Sequence, residues 1–445
     1  MQKNNGITES ENYLNKMCTK AFLSLWTYPR VFRDQGKSNG GDGKEICDAL
    51  VVFKNHVIIF SDKDCSFSNS GDIVKDWKRW FKRAVMNSAK QLWGAERWIN
   101  NFSDRIFLDS KCNHKIPFSS EGLDIKFHLI VVAHGASKEC GALGKTGSLM
   151  FNSGIVGENN HDAPFVLGVL NKDKTFIHFL DDSSLDIILN ELDTAPDFIK
   201  YLEEKEKFLT SGKIISYAGE EELLAFYLQH KNNLGNVFKD SFGPDMLFFD
   251  EGSWEVLSKN PRKILRETKS KISYLWDDII EHFSYYVGDN FHETEKIMQF
   301  LASESRFHRR ILSEQFKKVF YSDFREGSPR YVVLEKDNNE LGYVFLPFSN
   351  KFSHSYDEYR KIRIGMLQDY CKVAKLRFPT LRNIIGISTE SLIPYKEKTS
   401  LDVVCCNVDG WTEKDEEEAE EIRKRFSLSE TKINHKSKKE YPDID

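Results

Sequence analysis

The chain has 445 residues, 40% hydrophobic and 29% charged, with a formal net charge of −5. That length exceeds what one core organises, so two or three domains are expected. The composition excludes a largely disordered chain and a globally basic nucleic-acid binder, and no run of about 18 apolar residues is present to span a membrane. Eight cysteines without a C-x-x-C pair, behind a start lacking a basic-then-apolar signal, point to reduced thiols in a cytoplasmic setting.

In chain order, residues 10–31 carry helical spacing through Leu14, Met17, Phe22, Leu25 and Trp26, with Ser10 as a candidate cap. A Gly-rich loop follows. Two apolar runs, 47–53 and 56–60, are joined by Lys54-Asn55 and read as a tight hairpin that lacks the usual turn glycine. A polar turn leads into a long helix from about Asp72 to Ile99. Further strands are predicted at 105–109, 126–134, 164–170 and 176–180, then two helices around 200–230. Residues 255–320 are mostly helical. Strands at 331–335 and 342–348, a helix over 356–377, strands near 383–388 and 401–408, and an acidic helix complete a second α/β stretch.

The hairpin ends on a concentration of charge. Asp48 opens the first strand and Ser61-Asp62-Lys63-Asp64 closes the second. A two-residue turn brings those ends side by side, and Ser61 and Lys63, two apart, share a face. Phosphodiester hydrolysis uses such a set: a carboxylate for a hard cation, and a lysine to orient water or offset developing charge.

At these residues the sequence resembles the PD-(D/E)xK nuclease superfamily: a helix, a hairpin with Asp48 on one strand and a Ser61-x-Lys63 triplet on the next, then a helix and more strands. Ser61 stands where the family has its second acid. A subgroup of restriction enzymes with (S/T)-x-K draws the missing carboxylate from the following helix. Asp76, thirteen residues after Lys63 and one turn beyond Asp72, is the matching candidate. The resemblance implies Asp48 and Asp76 as ligands of Mg²⁺ or Mn²⁺, with Glu45 accessory or competing, Lys63 positioning water, Ser61 hydrogen-bonding in the site, and DNA as substrate. A soluble nuclease joined to an unfamiliar second half also resembles bacterial anti-phage effectors, in which a companion subunit or a homo-oligomer can take part. The alternative is a catalytically inactive nuclease-like subunit that binds DNA or a protein partner.

The helix after the motif is basic, and Lys75, Lys78, Arg79, Lys82 and Arg83 suit phosphate contact or a solvated face. Trp77, Trp80, Trp93 and Trp98, half of the eight tryptophans, read as core anchors rather than base-stacking platforms. Further basic clusters at 259–271 and 306–310 fit either a DNA-facing surface or an ordinary helix exterior. His178 reads as a satisfied core histidine, and Asp181-Asp182 as caps of the next helix. The expected class is α/β: a restriction-endonuclease-like mixed sheet flanked by helices over 1–235, a helical region over 236–325, a C-terminal α/β domain over 326–428 and a mobile tail from 429 to 445.

Overall fold

The computed structural model describes residues 6, 8–37, 40–118, 120, 122–143, 147–230, 232–235, 245–285, 291–322, 327–334, 340–349, 355–390, 400–428 and 436–443. The chain divides into two compact units, Met1–Ile264 and Leu265–Asp445.

The first unit begins with α1 (Glu9–Phe22) and β1 (Thr27–Arg33). The helical spacing predicted to residue 31 therefore stops at Phe22. Thr8, not Ser10, caps α1, in a reciprocal capping box with Glu11, and Pro29 lies within β1, a sheet position that needs no N–H donor. The hairpin is β2 (Lys44–Phe53) and β3 (His56–Asp64), turning at Lys54 with φ +55°. Then come α2 (Ile73–Trp80), a π-helical segment (Phe81–Met86) and α3 (Asn87–Asn101), followed by β4 (Ile106–Phe107), β5 (Lys126–His134) and α4 (Ser137–Ala142). The unit continues through β6 (Met150–Val156), β7 (Val166–Val169), β8 (Ile177–Asp181), α5 (Ser184–Glu191), α6 (Ala195–Leu209), β9 (Ile214–Tyr217), α7 (Glu220–Gln229), β10 (Met246–Phe249) and α8 (Ser253–Ser258).

The strands form two mixed sheets, β4-β1-β2-β3-β5-β8 and β10-β9-β6-β7. In the six-stranded sheet β1, β2 and β3 are antiparallel, while β3, β5 and β8 run parallel. Alternation along β3 assigns its faces. Phe60 meets Phe22 of α1 and Phe198 of α6; Ser61, one residue on, meets Gln91 of α3. The sheet is thus sandwiched, with α1 and α6 on one side and α3 on the other. Trp77 and Trp80 are fully buried, their rings 5.4 Å apart, and their indole N–H groups donate to the His161, Cys65 and His134 carbonyls. Trp93 is buried too, whereas Trp98 is half-buried with Arg33 and Arg105 over its ring.

The second unit contains α9 (Pro261–Ser270), whose first turn belongs to the preceding unit, then α10 (Tyr274–Tyr285), α11 (Phe291–Ala302), α12 (Arg306–Phe320), β11 (Arg330–Val333), β12 (Leu341–Pro347), α13 (Tyr356–Arg377), β13 (Asn383–Thr389), β14 (Asp402–Asn407) and α14 (Glu413–Arg425). Its sheet, β11-β12-β13-β14, packs Val344 and Leu346 against Leu367 and Cys371 of α13. On the other face Phe345 meets Trp276, Phe316 and Phe320, so helices α10 and α12 cover this sheet instead of forming a region of their own. Buried Arg363 is held by Asp402.

The tail is not wholly loose either. Arg310 donates to the carbonyls of Lys439 and Glu440, Lys438 pairs with Glu314, and Arg266 stacks over Tyr441. Arg309 is buried on Asp277 and Lys263 on Glu191, which removes both from any DNA-facing surface. Among the described residues no helix is long and apolar enough to cross a membrane.

Replacing Trp77 by Ala should remove ~3–5 kcal/mol from the first unit, read as an earlier denaturant midpoint for that unit's transition. A loss below ~1 kcal/mol would mean Trp77 is not the anchor its burial implies.

Candidate active site at the parted strands

Strands β2 and β3 pair from Phe53↔His56 to Ala49↔Phe60, where their shared ladder ends. Each then continues with its other neighbour, β2 along β1 to Lys44 and β3 along β5 to Asp64. A notch opens between them, and Asp48 is the first residue inside it. The Asp62 N–H, which would otherwise need a ladder partner, donates to Asp48 Oδ2 at 2.7 Å. Lys63 Nζ lies 3.9 Å from the same oxygen. Ser61 Oγ reaches Gln91 Oε1 at 3.4 Å. Asp48, Ser61 and Lys63 are therefore brought together as their spacing predicts, with Asp48 and Ser61 buried and the Lys63 side chain about one-third exposed.

Burial pushes the Asp48 carboxyl up to about 7, against the pull of Lys63 and the Asp62 N–H; the charges of Glu45 and Glu11 push it further the same way. Glu45 itself is paired with Arg30 at 3.0 Å. Asp76 is engaged by its own neighbour. Both its oxygens accept from Ser70, from the N–H at 2.6 Å and the hydroxyl at 2.9 Å, and the Ser70 N–H holds its carboxyl below the usual range, helped by Arg79 and Lys75. Among the described residues no three His, Cys, Asp or Glu side chains gather in a metal-holding group.

Two residues of this site escaped the sequence reading. Glu11 was hidden by its local role: in the Thr8-x-x-Glu11 capping box it looks like helix punctuation, and only the packing of α1 carries its charge to Asp48. Gln91 lies 28 residues beyond Lys63, past a π-helical widening that no periodicity announces.

The helix that follows supplies a basic face. Lys75, Lys78, Arg79, Lys82 and Arg83 are all exposed, and an open concavity of about 590 Å³ is lined by Asp72, Val74, Lys75, Lys78, Arg79 and Lys82. Lys78 pairs with Asp162 at 2.6 Å and Arg83 donates to the Ser66 carbonyl. This face begins at the sheet end that carries Lys63, because Trp80 ties the helix to Cys65 and His134 at the ends of β3 and β5.

On the opposite face of β3 lies a second charged group. His134 at the end of β5 donates to Asp62 and Asp182, at 2.7 and 2.6 Å. Burial opposes charge on this ring, yet the two carboxylates raise it to about 10, so the imidazolium persists at neutral pH. Asp182 thus serves His134, while Asp181 alone caps α5 through Ser184. His178 is buried as expected, but among the described residues neither ring nitrogen has a hydrogen-bond partner, and burial holds it neutral.

Compared with protein-family models, with curated proteins and with solved structures, the chain matches none.

Asp48→Asn keeps an oxygen for the Asp62 N–H. Because the folded carboxyl titrates above an unfolded one, wild type carries a stabilising contribution at acid pH that is lost as pH rises from about 4 through about 7. The variant should be more stable than wild type above pH 7, by ~4 kcal/mol at most, with the advantage vanishing near pH 4. A pH-independent difference in denaturant midpoints would show that Asp48 titrates normally.

Proposed function

We propose that the first unit acts on nucleic-acid phosphodiesters, as a restriction-endonuclease-like nuclease that cleaves DNA. The observation that carries this is the notch where β2 and β3 part, with buried Asp48 and part-exposed Lys63 facing each other 3.9 Å apart. The order of helix, three antiparallel strands, helix and parallel strand supports the same core. The exposed cations of α2 and the π segment hold the phosphate backbone beside the notch.

The donor set fits a hard divalent cation. Mg²⁺ keeps several waters and takes one or two protein carboxylates together with substrate phosphate, so it needs no three-residue cage. Asp48 is short of compensating charge: Lys63 pulls it down while burial, Glu45 and Glu11 push it up. Asp48 would hold the ion, joined by Asp76 only after release from Ser70. Bound there, Mg²⁺ or Mn²⁺ would polarise the phosphate and acidify an attacking water. Lys63 donates to the phosphate or the water, and Asp48 keeps the lysine turned inward. Ser61 and Gln91 supply a hydroxyl and an amide at the back of the notch. An anti-phage effector is the setting we infer, with the second unit taking a signal or a partner subunit.

A second function has its own support: Ser61 in the acid slot and Asp76 turned to Ser70 suit a nuclease-like subunit that binds DNA without cutting it.

With plasmid DNA and Mg²⁺ or Mn²⁺, wild type should nick, and Asp48→Ala and Lys63→Ala should both abolish nicking. Cleavage surviving both changes would sink the assignment, and a mobility shift without cleavage by wild type would favour the binding subunit. Lys75→Glu with Lys82→Glu should weaken DNA binding and lower the salt dependence by about one unit of slope per lost phosphate contact; an unchanged slope would place the contact surface elsewhere.

A further inference from the structure

We infer that Asp62, His134 and Asp182 form a clamp that positions the Asp48 carboxylate, acting through the backbone N–H of Asp62. This rests on the function proposed above only for its catalytic consequence; the clamp itself is argued from geometry.

Past Phe60 the β3 strand no longer pairs with β2 and is laddered on one side, to β5, through Asp64↔His134. The end of β3 would be free to swing about that single ladder. The side chain of Asp62 prevents this. It points away from Ser61 and Lys63, toward α1, where its charge raises the Cys18 thiol that burial has already pushed up. Its Oδ1 receives His134 Nε2 at 2.7 Å, and His134 Nδ1 donates to Asp182 at 2.6 Å. Asp182 is itself pinned by the Gly135 N–H at 2.9 Å and the Ser137 hydroxyl at 3.1 Å.

Gly135 has φ +89°, and a Cβ there would meet the Cys65 carbonyl oxygen at 2.4 Å; only glycine lets the two strand ends approach so closely. The chain of bonds runs from the start of α4 to Asp182, His134 and Asp62, and across the Asp62 peptide to Asp48 Oδ2 at 2.7 Å. Asp62 Oδ2 is buried with no hydrogen-bond partner among the described residues, so His134 is the cation that makes this carboxylate tolerable in the core. His134 bonds to Asp62 and Asp182 on the face of β3 away from Lys63. It is a positioning residue.

The test is amide hydrogen exchange on the full-length chain, comparing wild type with His134→Ala, His134→Gln and Asp62→Ala. Asp62→Ala keeps the N–H while deleting the clamp, and it also removes the buried charge, so it guards against a His134→Ala chain that fails to fold. In His134→Ala and Asp62→Ala the Asp62 amide should exchange at least tenfold faster, while Ile58 and Ile59, deep in the same strand, stay protected. His134→Gln, which can donate to one carboxylate at a time, should fall between. DNA affinity through α2 should stay within twofold in all three, and metal-dependent cleavage should fall at least tenfold in kcat with KM unchanged. An unchanged Asp62 amide would overturn the clamp, as would equal loss of protection at Ile58 and Ile59, which would mark a general scaffold role. If wild type does not cleave, the nuclease assignment fails alone, and the exchange data still decide whether the clamp positions Asp48.

Discussion

A single unmade stretch of β-ladder governs the first unit. Where β2 and β3 stop pairing, the backbone N–H of Asp62 must still be satisfied, and Asp48 satisfies it. A carboxylate that would otherwise sit unpaired in the core is thereby held in place beside Lys63. Its raised pKa follows from that same position: a buried acid with one partly exposed lysine and two further acids, Glu45 and Glu11, acting on it. The local cost in ladder hydrogen bonds is offset by the Asp48 bond on one face of β3 and by the His134 clamp on the other.

Around this point the fold separates tasks by face. Alternation along β3 sends Phe60 and Asp62 toward α1 and Ser61 and Lys63 toward α3. Phe22 and Phe198 pack on Phe60 on one face, with the His134 clamp farther along it, and the polar notch lies on the reverse side. The helix following β3 repeats the division around its own axis, with Trp77 and Trp80 fully buried and Lys75, Lys78, Arg79, Lys82 and Arg83 in solvent. Trp80 joins the two systems, because its indole N–H bonds to carbonyls at the ends of both β3 and β5. A basic surface is thus anchored to the sheet end that carries Lys63.

The second unit follows different physics. One face of its small sheet packs on α13 and the other on α10 and α12, so the helices around 274–320, which look independent by composition, are half of a sandwich. Buried ionic groups replace exposed ones there: Arg309 with Asp277 and Arg363 with Asp402. Clusters of basic residues in sequence are poor guides to surface charge once tertiary partners are known.

Much of this was legible in the chain. Period-two alternation and the spacing from Asp48 to Ser61 and Lys63 follow from strand geometry alone, and β5 runs from Lys126 to His134 as its apolar run predicts. The burial of Trp77 and Trp80 and the exposure of Lys78 and Arg79 between them follow from helical periodicity. Those signals are local, so sequence suffices. The strand β1 was missed because its residues continue the apolar spacing of α1, and strand pairing is decided by a partner beyond the intervening loop, as in Thr27↔Val51. The influence of Glu11 on Asp48, the contact of Gln91 with Ser61 and the clamp on Asp62 all depend on which elements pack together. Such contacts join residues far apart in the chain, and only the tertiary structure brings them within bonding distance.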